Sequence, residues 1–436
     1  MEVLMILLVF SVFLGTELLA VPLPGFQLSL YRMTLFLGIF LTIYQAFKHH
    51  PQLKIDRKLT SHWLVIGYLC WWLWGLLSVL WAMSFGHWLR AMFLLTLGIS
   101  AIVLVYLWVH DMNLWRRLIR AIWLGMSILM FWGYYELLTN HYLFADLNKL
   151  DKHGTFASQP LTRIPVTVFE NQNDYATMLL AFLTVCMIGL SLTKFNWQRL
   201  ILLGQMLLAS YLVFRCESRM ILLSFILIIV IKFLLQFKVD LKLPQWRKIV
   251  LVFILLIAIS IALVPAIQNK IDTLFYVGYG EELDGDTVRM NLWRNGLHFL
   301  GQTFGLGVGA GNIEFWMNYF RELPTKIITN MHNWWLEILV AYGWPAFCIY
   351  VTMYGVMIRR LFTLRSQLIP QWRAVNNNLM AFLIVYIFAS ITSASNMLIE
   401  WHWVFFAVII AYINIIENQL KYRQKGREYE FINDYR

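Results

Sequence analysis

Four cysteines in 436 residues is too few, and too scattered, for a metal or disulfide framework. Cys70, Cys186 and Cys348 lie inside apolar runs and Cys216 near a membrane edge, with no zinc-type spacing. The glycine-rich run 305–311 is followed by no GKS/T and sits in no strand–helix unit, which excludes a Walker loop and a dinucleotide fingerprint. No stretch alternates over about ten residues as a membrane β-barrel strand does. The first apolar run, residues 3–21, has no basic flank and no small-residue cleavage site, so it reads as a retained helix rather than a signal peptide. Charge is scarce too, at 14% of residues.

What is abundant is apolar surface. Hydrophobic residues make up 60% of the chain and mean hydropathy is +0.64, whereas ordinary soluble domains are about 45–50% apolar. The sequence predicts an all-α polytopic membrane protein of about twelve spans: 3–21, 28–46, 63–82, 90–109, 118–138, 174–192, 198–214, 218–236, 249–267, 332–357, 377–394 and 400–417. The pair 198–214 and 218–236 is joined by a very short turn. The net charge of +11 reflects Lys and Arg between spans, a topology signal rather than a nucleic-acid surface. Their bias predicts both termini in the cytoplasm. The chain then divides into nine spans within 1–267, an extracytoplasmic loop 268–331, three spans within 332–420 and a cytoplasmic tail 421–436.

Two outer segments are long, 139–173 and 268–331, and both carry arginines that topology does not call for. The second begins with Glu281, Glu282, Asp284 and Asp286, which read as a solvated loop, with cation binding as the competing reading. No DDxxD-type metal cluster is present. Asp286 or Thr287 is placed to cap a short helix reaching about Leu300, with Arg289, Trp293, Gly296 and Leu300 on one face. The run 305–311 reads as flexible or closely packed backbone.

Arginine grips phosphate through a planar, permanently charged fork. Arg289 and Arg294 are therefore candidates for a diphosphate, with solvated helix charges as the alternative. Arg219 begins a helix beside Ser218; Arg215 precedes the same turn, and pairing with Glu217 or snorkelling is its alternative. His332 stands at the lip of the next span, where a neutral imidazole can take a proton from a sugar hydroxyl near pH 7. Asn333 could orient it or bind sugar. Trp334, Trp335, Trp401 and Trp403 read mostly as interfacial belt, with stacking on sugars as the alternative.

These stretches, taken in order, resemble the O-antigen ligase/polymerase superfamily. His332-Asn333, nine residues, then Gly343 is similar to the family's H-[NSQ]-x9-G-x-x-[GTY] motif; Ala346 departs from its last position and Pro345 precedes it, a change expected to affect helix packing more than chemistry. Arg289 and Trp293 resemble R-x-x-x-W, and 305–309 the G-x-G stretch after it. Ser218-Arg219-Met220 resembles S-R-G, with Met for Gly; residues 169–176, containing Asn171 and Asn173, resemble F-x-N-x-N-x-x-A. Residues 135–141 and 393–396 are weaker matches.

The resemblance implies a GT-C-like membrane glycosyltransferase that needs no metal or other cofactor. Its donor would be an undecaprenyl-diphosphate-linked glycan, its partners a glycan acceptor, membrane lipids and, optionally, a chain-length regulator. Arg219 and Arg289 would bind the diphosphate and stabilise it as leaving group; His332 would be the base, in an inverting transfer on the outer face of a bacterial cytoplasmic membrane. Arg215, Arg294, Asn333, Arg163 and Asn173 are candidate substrate contacts. A polysaccharide polymerase (capsule, exopolysaccharide or O-antigen type) is favoured. A ligase moving finished glycan to a lipid or wall acceptor is the alternative, and a transporter or flippase the second.

Overall fold

The computed structural model describes residues 1–15, 18–23, 26–49, 56–151, 154–236, 285–393, 395, 397 and 399–424. The span predicted at 249–267, the acidic stretch 281–284 and most of the tail lie outside the described residues. The helices are α1 Glu2–Ser11, α2 Leu30–His49, α3 Thr60–Leu77, α4 Phe85–Trp108, α5 Met112–Thr139, α6 Leu147–Leu150, α7 Gln172–Leu192, α8 Asn196–Arg215, α9 Arg219–Gln236, α10 Gly285–Gln302, α11 Ile313–Tyr319, α12 Trp334–Leu364, α13 Pro370–Ala389 and α14 Glu400–Gln424. Among the described residues, eight helices are long and apolar enough to cross a membrane. The chain is an all-α polytopic membrane protein, its only described sheet being a short hairpin of β1 Val21–Leu23 and β2 Phe26–Leu28.

One predicted span is shortened. The run 3–21 yields α1 and a 3-10 turn, Val12–Leu14, before Gly15 turns the chain at φ 75°. A side chain there would meet Val168 at 2.8 Å, so left-handed backbone and close approach both favour glycine. The very short turn expected near 215–218 is real: Glu217 takes φ 54°, and α8 and α9 meet across it.

The central helix is α14, which packs against α3, α4, α5 and α12 and is buried along nearly its whole apolar length. A helix apolar all round suits such a position. Trp71, Trp334, Tyr342, Tyr350 and Trp403 form a continuous aromatic cluster within this core. Trp334, Trp401 and Trp403 are thus core residues rather than belt, and the Trp335 indole donates to the Ile387 carbonyl. Spacing alone could not separate the two readings, because a helix end at the interface can face either lipid or protein.

Beyond the bundle, α10 forms where the capping signal predicts it. Its Trp293 indole donates to the Met331 carbonyl at 3.0 Å, and a Cβ on Gly296 would lie 2.6 Å from the Met331 side chain. One turn apart on a second face, Asn291 donates to the Pro324 carbonyl, and Asn295 donates to the Leu323 carbonyl while accepting from the Glu322 and Leu323 amides. These two buried amides staple α10 to the returning chain. Asn295→Ala leaves three polar groups without their partners and is expected to cost about 2 kcal/mol. Hydrogen exchange at 320–328 should accelerate in that variant, while Arg294→Ala should leave it unchanged.

The helix after His332 is broken by design of its sequence. Gly343 adopts φ 73°, and Pro345 has no N–H to return to Ala341. The Val340 and Ala341 carbonyls are then free to accept from Val308 (2.9 Å) and Gly309 (3.0 Å), while the Trp344 amide donates to the Gly305 carbonyl (2.9 Å). The glycine run and the kinked helix therefore pair backbone to backbone. A Cβ on Gly343 would lie 2.3 Å from the Leu306 carbonyl carbon, and one on Gly307 would lie 2.4 Å from the Gly343 amide nitrogen. Of the two readings of run 305–311, close packing is the one observed.

Candidate functional site

His332 sits in the left-handed region at φ 46°, immediately before the first turn of α12. Asn333 caps that helix, its side-chain oxygen accepting from the Trp335 and Leu336 amides at 3.1 and 3.3 Å. A capping residue has extended backbone, so the sharp change of chain direction falls on His332.

The environment of His332 is dry and positive. Burial, then the nearby Arg289 guanidinium, lower its pKa from the usual 6.5 to about 4. A hydrogen bond to the Thr392 backbone acts the other way, as an imidazole N–H donating to a carbonyl does. The second ring nitrogen, Nδ1, is buried and has no hydrogen-bond partner among the described residues. At neutral pH the ring is uncharged, and with the Thr392 bond made by its N–H the tautomer leaves the lone pair on Nδ1. Arg289 is itself half-buried, with its pKa lowered by that burial, and it makes no hydrogen bond or ion pair among the described residues.

The other arginines divide by what they touch. Arg163 is buried and donates to the carbonyls of Phe156, Leu137 and Leu138, the last two being orphan acceptors at the end of α5. Arg215 is buried and donates to the carbonyls of Arg163 (2.7 Å) and Pro160 (3.1 Å) and to the Tyr211 hydroxyl. It pairs with backbone, not with Glu217. The Glu136 carboxylate completes the arrangement by accepting from the Val166 and Thr167 amides. Together these three charged side chains tie the 139–173 segment to α5 and to the α8–α9 turn.

Arg219, by contrast, is exposed at the start of α9, with no partner among the described residues. Arg365 and Asn377 reach the Leu235 carbonyl at the far end of α9, so α9 and α13 run antiparallel. Arg219 therefore lies at the end of the bundle where α13 finishes and leads into Thr392. Arg294 lies about 140° around α10 from Arg289, at 100° per residue. Asn173 donates its amide to the Asn171 side chain, the N-cap of α7.

The structure thus brings Arg289, His332 and Asn333 together and places Arg219 at the same end. Arg163 and Arg215 are occupied with backbone. Thr392, which holds His332, carries no sequence signal that could have found it. Glu136 and Glu337 do, since a carboxylate inside an apolar run is costly unless it is partnered.

A guanidinium set against a half-buried, neutral histidine beside the outer segments of a helical membrane protein is an arrangement chemically suited to an anionic ligand. The O-antigen ligase family model matches residues 204–351, which contain Arg219, Arg289, the glycine run, His332 and Gly343. The chain is also 29% identical over 420 residues to the teichuronic acid biosynthesis protein TuaE of Bacillus subtilis (strain 168), covering 94% of this chain and 83% of that protein. The chain is thus similar to the O-antigen ligase family over residues 204–351 and to a teichuronic acid biosynthesis protein over most of its length.

Proposed function

We propose that this protein is a polysaccharide polymerase that joins undecaprenyl-diphosphate-linked repeat units at the extracytoplasmic face of a bacterial cytoplasmic membrane. The observation that carries this reading is the Arg289–His332 juxtaposition, with Nδ1 of a neutral imidazole buried and unpartnered among the described residues. The match to the O-antigen ligase family and the similarity to TuaE, a teichuronic acid biosynthesis protein, support the substrate class. The excess of Lys and Arg on the opposite loops supports the sidedness.

In this mechanism an acceptor hydroxyl gives its proton to His332 Nδ1 as its oxygen attacks the anomeric carbon. The bond from that carbon to the diphosphate oxygen breaks, with inversion. The diphosphate departs with the bonding electrons, and Arg289 and Arg219 stabilise the charge it gains. Donor binding also tunes the base. With Arg289 facing a diphosphate, the charge that depresses His332 is neutralised, and its pKa rises toward the working pH, where a general base is most effective. Arg163, Arg215 and Glu136 act as positioning residues that hold the turn carrying Arg219.

The test uses purified protein in lipid nanodiscs, given lipid-linked repeat units from source cells lacking this gene. Chain growth with no other acceptor is the expected result. Transfer only after a separate lipid or wall acceptor is added would make the protein a ligase. Intact donor under both conditions would overturn the glycosyl-transfer reading and favour a transporter.

A further inference from the structure

A cavity of about 100 Å³ lies beside the chain that leads into His332, and the transfer chemistry above leaves it unused. One water needs only ~10–15 Å³ measured this way, so the space is on the scale of a sugar ring. Asn330 and Met331, which line it, lead directly into His332. Across from them, the Ser395 hydroxyl donates to the Glu337 carboxylate in the cavity wall, three residues after Thr392 holds the His332 ring. The same two chain segments therefore frame both the histidine and the cavity.

The lining is mostly apolar, with a few polar groups set into it. The Tyr342 side chain is 1% exposed, lines the cavity, and has a hydroxyl with no hydrogen-bond partner among the described residues. The Asn330 side-chain oxygen is also buried without a partner among them. Each such group costs about 1–3 kcal/mol when left unsatisfied, and both border the same space. Glu314 and Glu337 add carboxylate acceptors, and the His87 ring, 4.0 Å from Glu314 and bonded to the Ser84 hydroxyl, adds another polar edge. With the Arg90 guanidinium also in the wall, these donors and acceptors set among apolar side chains match a sugar ring, which presents hydroxyls at its edge and C–H groups on its faces.

We propose that this cavity is the acceptor subsite: it binds the terminal sugar ring of the acceptor glycan through its hydroxyls and turns one of them toward His332. The proposal rests on the transfer function above and adds the residues that recognise the acceptor. Two probes separate the two ideas. One is the free repeat-unit oligosaccharide, released from its lipid by mild acid, with binding followed by saturation-transfer NMR. The other is undecaprenyl diphosphate. Tyr342→Phe, Glu337→Gln and the loop variant Asn330→Ala should each weaken oligosaccharide binding roughly three- to tenfold. Their undecaprenyl diphosphate affinity should match the wild type, which also establishes that they are folded. Arg289→Ala should do the reverse. Oligosaccharide that binds the three cavity variants as it binds the wild type, or that does not bind the wild type, would overturn the subsite. Undecaprenyl diphosphate binding indifferent to Arg289→Ala would instead count against the transfer reading.

Discussion

Replacing Gly343 with alanine is expected to abolish transfer and to lower thermal stability, while replacing Gly355 in the same helix is expected to do neither. Gly343 holds a backbone angle that costs an L-residue about 1–2 kcal/mol, and its missing side chain is the space in which residues 305 and 306 sit. An added methyl would push the glycine run off the helix and break the three backbone bonds that join them. The kink orients the first turns of α12 and so the backbone on which His332 stands. A misplacement of about 1 Å at such a position can cost on the order of a hundredfold in rate. Gly355 has open space around it and no left-handed angle, so alanine there should be neutral or stabilise by about 0.5–1 kcal/mol. Thermal denaturation in detergent and the chain-growth assay check both variants. Equal behaviour of the two would sink the backbone-pairing account.

The second large effect concerns the histidine. His332→Ala and Arg289→Ala should each reduce transfer by roughly 10²–10³-fold, and the two should differ in how pH acts. In the free protein His332 is held near 4, so its neutral, basic form persists well below the usual 6.5. Between those values the unfolded chain binds more protons at this site than the folded one. Its contribution to stability is thus fully present above 6.5 and is lost as pH falls toward 4. Removing the Arg289 charge takes away one of the two depressing influences, so in Arg289→Gln the His332 pKa should rise. Titration by ¹³C-histidine NMR, with the His332 resonance assigned by its loss in His332→Gln, checks the direction. Undecaprenyl diphosphate added to the wild type should shift the resonance the same way. A His332 that titrates near 6.5 in the wild type, and stays there in Arg289→Gln, would contradict the electrostatic coupling.

Much of this was legible in the chain. Apolar runs of spanning length follow from the bilayer's thickness, and the capping residues near 286 mark α10 within a few positions. The Arg289, His332 and Gly343 spacing pointed to one locality. Other features were not legible, and the reasons are physical. Arg163 and Arg215 look in sequence like spare cations for substrate. Their donors are instead taken up by carbonyls at a helix end and in a loop, which no local pattern specifies. The first apolar run is long enough to cross, but a glycine with a left-handed angle ends its helix after Leu14.

The sequence by itself determined the class: an all-helical membrane chain with its unusual charges gathered between spans, because hydropathy and charge act residue by residue. Only the tertiary structure decided which of those charges remain available. Arg289 meets His332 because α10 lies against Met331, the ring is neutral because that contact is dry, and the cavity exists because the 330–342 stretch meets Ser395 and, from α4, His87. Such properties depend on distance and burial, which emerge when elements far apart in the chain pack together.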